Sequence, residues 1–250
     1  MSGHSHWSRI RHKKAVVDAR RGRAWSKLAR AITVAAGVAG GNPDDNPRLR
    51  LAIDKARAEN MPKDTIEKAI KKGTGELEGA RYEDVLYEGY APGGIAVMCQ
   101  AVTDNRNRTS AEVKKIFERA GTSLGATNCV AFMFKQKGMI AVDRQRADED
   151  QIMEIALEAG ADDINSYEQV FEITCSPGAF ESVKNALAEA EIEIESADLS
   201  MVADTEIKLD MDRARKVMRL VDALEEHDDV DAVYTNSDIP DDVLAQLANA

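Results

Sequence analysis

The spacing of apolar residues divides the chain into a helical front end and a mixed remainder. From Ala19 to Ala39, Trp25, Leu28, Ala29, Ile32, Ala35 and Ala36 recur every three or four positions, the stripe of a one-sided helix. Gly40-Gly41-Asn42-Pro43 stops it. Asn46 before Pro47 supplies an N-cap with proline at the first helical position, which predicts a second helix to about Glu59. Pro62 opens a third, with Ile66, Ala69 and Ile70 inside and Gly73 at its end. Three short helices joined by short turns make a small bundle.

After a linker at Gly73–Gly79 the pattern changes. Tyr82–Ala91 and Gly94–Thr103 read as strands around a Pro92-Gly93 turn. A helix is predicted over Ser110–Ala120, with Thr109 and Glu112 as a capping box, and Cys129–Phe134 reads as a further strand. Strand (Gly138–Asp143), helix (Asp148–Ala159), paired strands (Asp163–Tyr167 and Gln169–Cys175), helix (Pro177–Ala190) and strand (Ile192–Val202) then follow. That βαββαβ order is ferredoxin-like. A helix (Asp212–Glu226), a short strand (Val230–Tyr234) and a terminal helix from Pro240 remain, too few to bury their own face. They are expected to return to the earlier sheet. The fold class is thus α+β and multidomain: an N-terminal three-helix domain, a middle α/β domain, and a ferredoxin-like domain inserted into the middle one. The expected limits are 1–18 for a flexible basic arm, 19–75 for the helical domain, 80–135 plus 206–250 for the middle domain and 136–205 for the acidic ferredoxin-like domain.

Charge changes this picture from architecture to partner. The chain carries a net charge of −11, yet residues 1–75 hold 17 Lys/Arg against 7 Asp/Glu, and Ser8–Arg30 alone holds nine against Asp18. A one-signed island in an acidic chain points to a polyanion. Arg20, Arg23, Lys27 and Arg30 fall opposite the apolar stripe, so that helix is expected to present cations on its free side. The candidate contacts are Trp7 for stacking, then Arg9, Arg11, His12, Lys13, Lys14, Arg20, Arg21, Arg23, Lys27, Arg30, Arg48 and Arg50 for phosphate. A second cluster, Asn105, Arg106, Asn107 and Arg108, joins a strand to a helix N-terminus and suits phosphate or base edges. The aromatics of Tyr87–Gly94 either close a hairpin or stack bases. Residues 143–206 hold 18 acids and only Arg144, Arg146 and Lys184 as bases, so the ferredoxin-like unit is not itself an RNA reader.

Little points to catalysis. Walker A is absent, Gly73-Thr74-Gly75…Gly79 misses the dinucleotide fingerprint by one residue, and no acid pairs with a His, Cys or Ser in a catalytic pattern. His227, beside Asp228 and Asp229, reads as a residue offsetting a helix dipole. His4, His6 and His12 are candidate metal ligands, and with Met1 removed Ser2-Gly3-His4 could wrap copper or nickel, chemistry general to such termini, so no metal or cofactor is expected. Cys99, Cys129 and Cys175 are scattered, which suits a reducing cytoplasm. No apolar run approaches the roughly 18 residues of a membrane span. The basic start is acid-poor like a transit peptide, but it runs straight into a patterned helix, so that alternative is not preferred.

Gly3-His4-Ser5-His6-Trp7, Arg11-His12-Lys13-Lys14, Asn46-Pro47-Arg48-Leu49-Arg50, Tyr87–Gly94 and Asp104–Thr109 resemble the YebC/PmpR family, which includes the mitochondrial translational activator of cytochrome oxidase subunit one. His6 stands where many relatives have Lys, a small loss of fixed charge. The resemblance spans the chain and implies the same three-part fold and a cytosolic, non-enzymatic regulator of gene expression. Bacterial members are described as probable transcriptional regulators that bind DNA; others act in translation, on ribosomes, relieving stalling at proline-rich stretches. The expected partner is therefore DNA or rRNA, with the ribosome as a further partner, no membrane and no small-molecule substrate. A monomer is favoured. An adaptor using the acidic face is a third class. No helix-turn-helix reader is recognisable.

Overall fold

A computed structural model describes residues 19–167, 169–240, 243, 246 and 247; the arm at 1–18 lies outside the described residues. The helical unit is α1 (Ala19–Ala39), α2 (Pro47–Ala58) and α3 (Lys63–Gly73) around a core of Ile32, Ala36, Leu49, Ile53, Ala56 and Ile66. Buried Asn46 fixes its geometry. Its side-chain oxygen accepts from Leu49 N at 3.0 Å to cap α2, and its amide donates to the carbonyls of Ala35 (2.8 Å) and Gly40 (2.9 Å) at the end of α1. One side chain thus satisfies orphan groups at two helix termini. α1 and α3 touch closely at Gly73, where a Cβ would lie 2.3 Å from the Thr33 carbonyl.

A three-stranded antiparallel sheet follows, in the order β1 (Glu83–Ala91), β2 (Ile95–Thr103), β8 (Val230–Thr235). The C-terminal segment does return to this sheet. Helices α4 (Arg106–Arg119) and α7 (Met211–Glu225) cover one face through Val113, Phe117, Val217, Leu220 and Leu224. Gly89 is required here, because a Cβ would meet the Phe117 ring at 2.8 Å. Two expectations are corrected. Helix α4 starts four residues before Ser110, capped by Asn105 rather than Thr109, whose side chain is buried under the helix. Cys129–Phe134 is not a strand: Ala131–Met133 forms a short 3₁₀ turn and Phe134 begins the next strand. Apolar residues there face a core without a strand partner, which strand-like composition alone does not reveal.

The inserted unit runs β3 (Phe134–Asp143), α5 (Glu149–Glu158), β4 (Ala161–Ser166), β5 (Val170–Cys175), α6 (Phe180–Glu189) and β6 (Ile194–Ala203). Its sheet order β4-β5-β3-β6, antiparallel throughout, is the ferredoxin-like arrangement. α5 and α6 pack on one face around Ile140, Ile152, Phe171, Ile173 and Leu187. The outer ends of β3 and β6 extend beyond this sheet, and Phe134, Met201 and Ala203 pack against Ala96, Met98 and Tyr234 on the second face of the first sheet. Two short strands that the pattern missed, β7 (Ile207–Lys208) and β9 (Ser237–Asp238), pair in parallel. Residues 243, 246 and 247 are helical; the rest of the expected terminal helix lies outside the described residues. No described helix is long and apolar enough to cross a membrane.

Replacing Asn46 with alanine removes all three bonds from a buried site and is expected to cost about 2–3 kcal/mol. Urea unfolding followed by tryptophan fluorescence checks this, and a loss below about 0.5 kcal/mol would mean that the helix junction is held elsewhere.

Candidate nucleic-acid interface

Trp7, Arg9, Arg11, His12, Lys13 and Lys14 lie outside the described residues, and Arg20, Arg21 and Arg23 lie on the opening turns of α1, of which the backbone is described. Lys27 and Arg30 are further along the same helix, and the expectation of a free cationic side is corrected for them. Lys27 Nζ donates to the Glu225 carbonyl at 2.6 Å. Arg30 Nη1 donates to the Asp228 carbonyl at 2.7 Å and to Asp229 Oδ1 at 2.9 Å. Periodicity marked this side of α1 as polar, but what covers it is the corner between α7 and β8. Burial pulls the Lys27 ammonium below its ordinary range, against the raising effect of Asp231, Glu225 and Asp228.

α2 is tied down as well. Arg48 makes a two-pronged pair with Asp84 at 2.7 and 2.8 Å, and those hydrogen bonds hold its guanidinium above the usual value. Arg50 folds back on the loop before its own helix, donating to the carbonyls of Pro43 (3.1 Å) and Asp44 (2.8 Å). Lys55 reaches Asp198 on β6 at 2.6 Å. Of the second cluster, Asn105 is the cap of α4, accepting from Arg108 N at 3.1 Å. Arg108 pairs with Asp104 at 2.9 Å and Asp229 at 2.6 Å. Arg106 and Asn107 are exposed in the first turn, and their side chains make no hydrogen bond or ion pair among the described residues. Arg106 thus sits where the helix dipole favours an anion.

Asp229 was missed by sequence reasoning, and it organises this region. Besides Arg30 and Arg108, it accepts from Thr109 Oγ1 at 2.7 Å and Thr103 Oγ1 at 3.2 Å, while its carbonyl accepts from Val102 N at 2.8 Å. Burial pushes its carboxyl up, but the hydrogen bonds from Arg108 and Thr109 and the charges of Arg108 and Arg30 outweigh this and hold it below the ordinary range. His227 accepts the Asp229 N–H on Nδ1 at 3.1 Å, and its Nε2 lies 2.8 Å from Glu112 Oε2. It is a bracket between α7 and α4. The lysines of α3 were also missed: Lys68, Lys71 and Lys72 are exposed at helical spacing. Their mutual spacing was the available signal.

The Tyr87–Gly94 motif is spent on the fold. Tyr87 is buried, and its hydroxyl donates to the Arg106 carbonyl at 3.4 Å, so it presents no face to a base. The buried Glu88 carboxylate accepts from the backbone N–H groups of Asn128 (2.6 Å), Val130 (2.9 Å) and Ala131 (2.7 Å). Tyr90, 42% exposed, donates to the Cys129 carbonyl at 3.0 Å. Burial pushes the Cys99 thiol up to about 12 and raises those of Cys129 and Cys175, so none is a ready nucleophile at neutral pH.

Because Asp229 is depressed in the folded state, its contribution is fully present above the unfolded value of about 4 and is lost as pH falls through the lower folded one. Asp229→Asn is expected to cost about 3 kcal/mol near neutral pH. The gap to wild type should narrow below about pH 4. Urea unfolding at neutral pH and at about pH 3 reads both values; a gap independent of pH would rule out the charge as its source.

Two family models match. One described as the TACO1/YebC protein N-terminal domain covers residues 5–76, and one described as the TACO1/YebC second and third domain covers residues 82–237. A probable transcriptional regulatory protein of Desulforapulum autotrophicum is 50% identical over 97% of this chain and 98% of its own length. One of Treponema pallidum is 52% identical over 98% of this chain and its full length. The crystal structure of a conserved hypothetical protein from Aquifex aeolicus matches with a TM-score of 0.85 and 48% identity, covering 94% of this chain and 98% of that one.

Proposed function

The chain belongs to the TACO1/YebC family, and we propose that it is a non-enzymatic regulator of gene expression that grips nucleic acid through its phosphates. The relatives are named probable transcriptional regulatory proteins, and a role in transcription makes duplex DNA the first target to test. The observation that carries the proposal is the segregation of charge, 17 Lys/Arg against 7 Asp/Glu in residues 1–75 of a chain whose net charge is −11. Cations at this density neutralise a phosphate backbone without reading sequence. With Lys27, Arg30, Arg48 and Arg50 engaged by other parts of the chain, Lys68, Lys71 and Lys72 on α3 and Arg106 with Asn107 at the start of α4 are among the described groups open to phosphate, and the proposal adds the basic residues of the arm and of the start of α1 on their sequence alone. The acidic ferredoxin-like unit repels phosphate and limits non-specific adhesion.

A second role, on rRNA as a ribosome-associated translation factor, is favoured by one feature. The free cations lie on several separate elements rather than along one recognition helix, which suits an irregular RNA surface. Titration of the full chain with duplex DNA and with an rRNA fragment over a range of salt tests both. The triple change Lys68→Glu, Lys71→Glu and Lys72→Glu is expected to weaken binding at least about tenfold and to lower the salt slope by about three units. Absence of salt-dependent binding to either probe would refute the proposal, and preference for one probe decides between the two targets.

A further inference from the structure

The cations of the helical unit that pair with other parts of the chain form a set. Lys27 and Arg30 of α1 and Arg48 and Lys55 of α2 each reach across to a carbonyl or carboxylate outside the helical unit: the Glu225 carbonyl, Asp229, Asp84 and Asp198. Asp231 adds its charge at the same junction, close enough to act on Lys27, Arg48 and Lys55. We infer that these contacts are a releasable clasp, holding the helical unit closed on the rest of the chain until a phosphate backbone takes over its cations. The inference rests on the binding proposed above and adds how that binding is regulated.

Three observations support it. First, the helical unit has its own core; Leu51, partly buried against the ferredoxin-like core, is the residue of α2 that joins another. Polar interfaces of this kind within a chain permit relative motion. Second, two of the four links are half-exposed ion pairs, Arg48–Asp84 with side chains 52% and 48% exposed and Lys55–Asp198 with 43% and 44%, and such pairs are weak and screened by salt. The third link, through Lys27, is opposed by the cost of burying its ammonium. Third, the tether from α3 to β1, residues 74–81, is exposed throughout and contains Gly75 at φ +82°, so it can follow a displacement of the unit. In the closed position the intramolecular acids occupy cations that phosphate would otherwise bind, so closure and binding compete.

The test uses the full chain with Asp84→Asn and Asp198→Asn together, against a control with Asp162→Asn and Asp204→Asn. The control removes the same charge from the Lys137 and Lys135 pairs, which do not involve the helical unit. The clasp variant is expected to give a larger radius of gyration than the control by small-angle scattering. It should also bind a mixed-sequence RNA or duplex DNA about fivefold more tightly at matched salt, the scale of two half-exposed pairs. Equal affinities, or a variant as compact as the control, would overturn the clasp while wild-type binding keeps the broader proposal standing. If none of the three proteins binds either probe, both fall.

Discussion

Groups from three elements converge on the carboxylate of Asp229, and much of the architecture around the first sheet follows from satisfying it. A buried anion is tolerated only when charge and hydrogen bonds replace the water it has lost. Arg30 brings α1 to it, Arg108 and Thr109 bring the first turn of α4, and Thr103 brings the end of β2. Asp229 also stands beside a shift in the β2–β8 register between Gln100 and Ala101, where its carbonyl takes the Val102 N–H. Helix docking, helix start and strand register are therefore coupled through one side chain. That coupling explains why a helix opening with Arg106-Asn107-Arg108, with no acid in its first turn, is stable at all: the compensating charges come from Asp104 before it and Asp229 across the sheet.

Charge is used twice in this molecule. The acids of residues 143–206 give the ferredoxin-like unit a surface of one sign, while Asp198 among them and Asp84 and Asp229 outside it engage individual cations of the helical unit. Counting bases along the front end therefore overstates what faces outward. The cations on α3 stay exposed because that helix packs on α1 through Ala69 and Gly73, on its opposite side.

Architecture was legible in the sequence to a greater extent than the site. Helix limits at Ala19, Ala39 and Pro47 followed from the stripe, the glycine stop and the Asn46 cap, all local effects written in adjacent residues. The βαββαβ order and the return of Val230–Thr235 to the first sheet followed from alternation and from the need to bury a face. The start of α4 was misread because two adjacent caps competed: Asn105 and Thr109 both suit the role, and burial of Thr109 beside Asp229 decides between them. Lys27 and Arg30 show the deeper limit. Their side of the helix was legible, but their partners lie 198 and 199 residues away, and no local pattern encodes such a pairing.

The long strands β3 and β6 belong to two cores at once, lining the ferredoxin-like sheet at one end and closing the back of the first sheet at the other. A ribbon continuous through both bodies leaves no place for a swivel between them, since bending there would break ladder bonds and pull Phe134 and Met201 from their packing. The two sheets thus make one continuous beam, and the three-helix unit is a separate body set against it by long-range polar contacts and joined to it in sequence by one exposed segment.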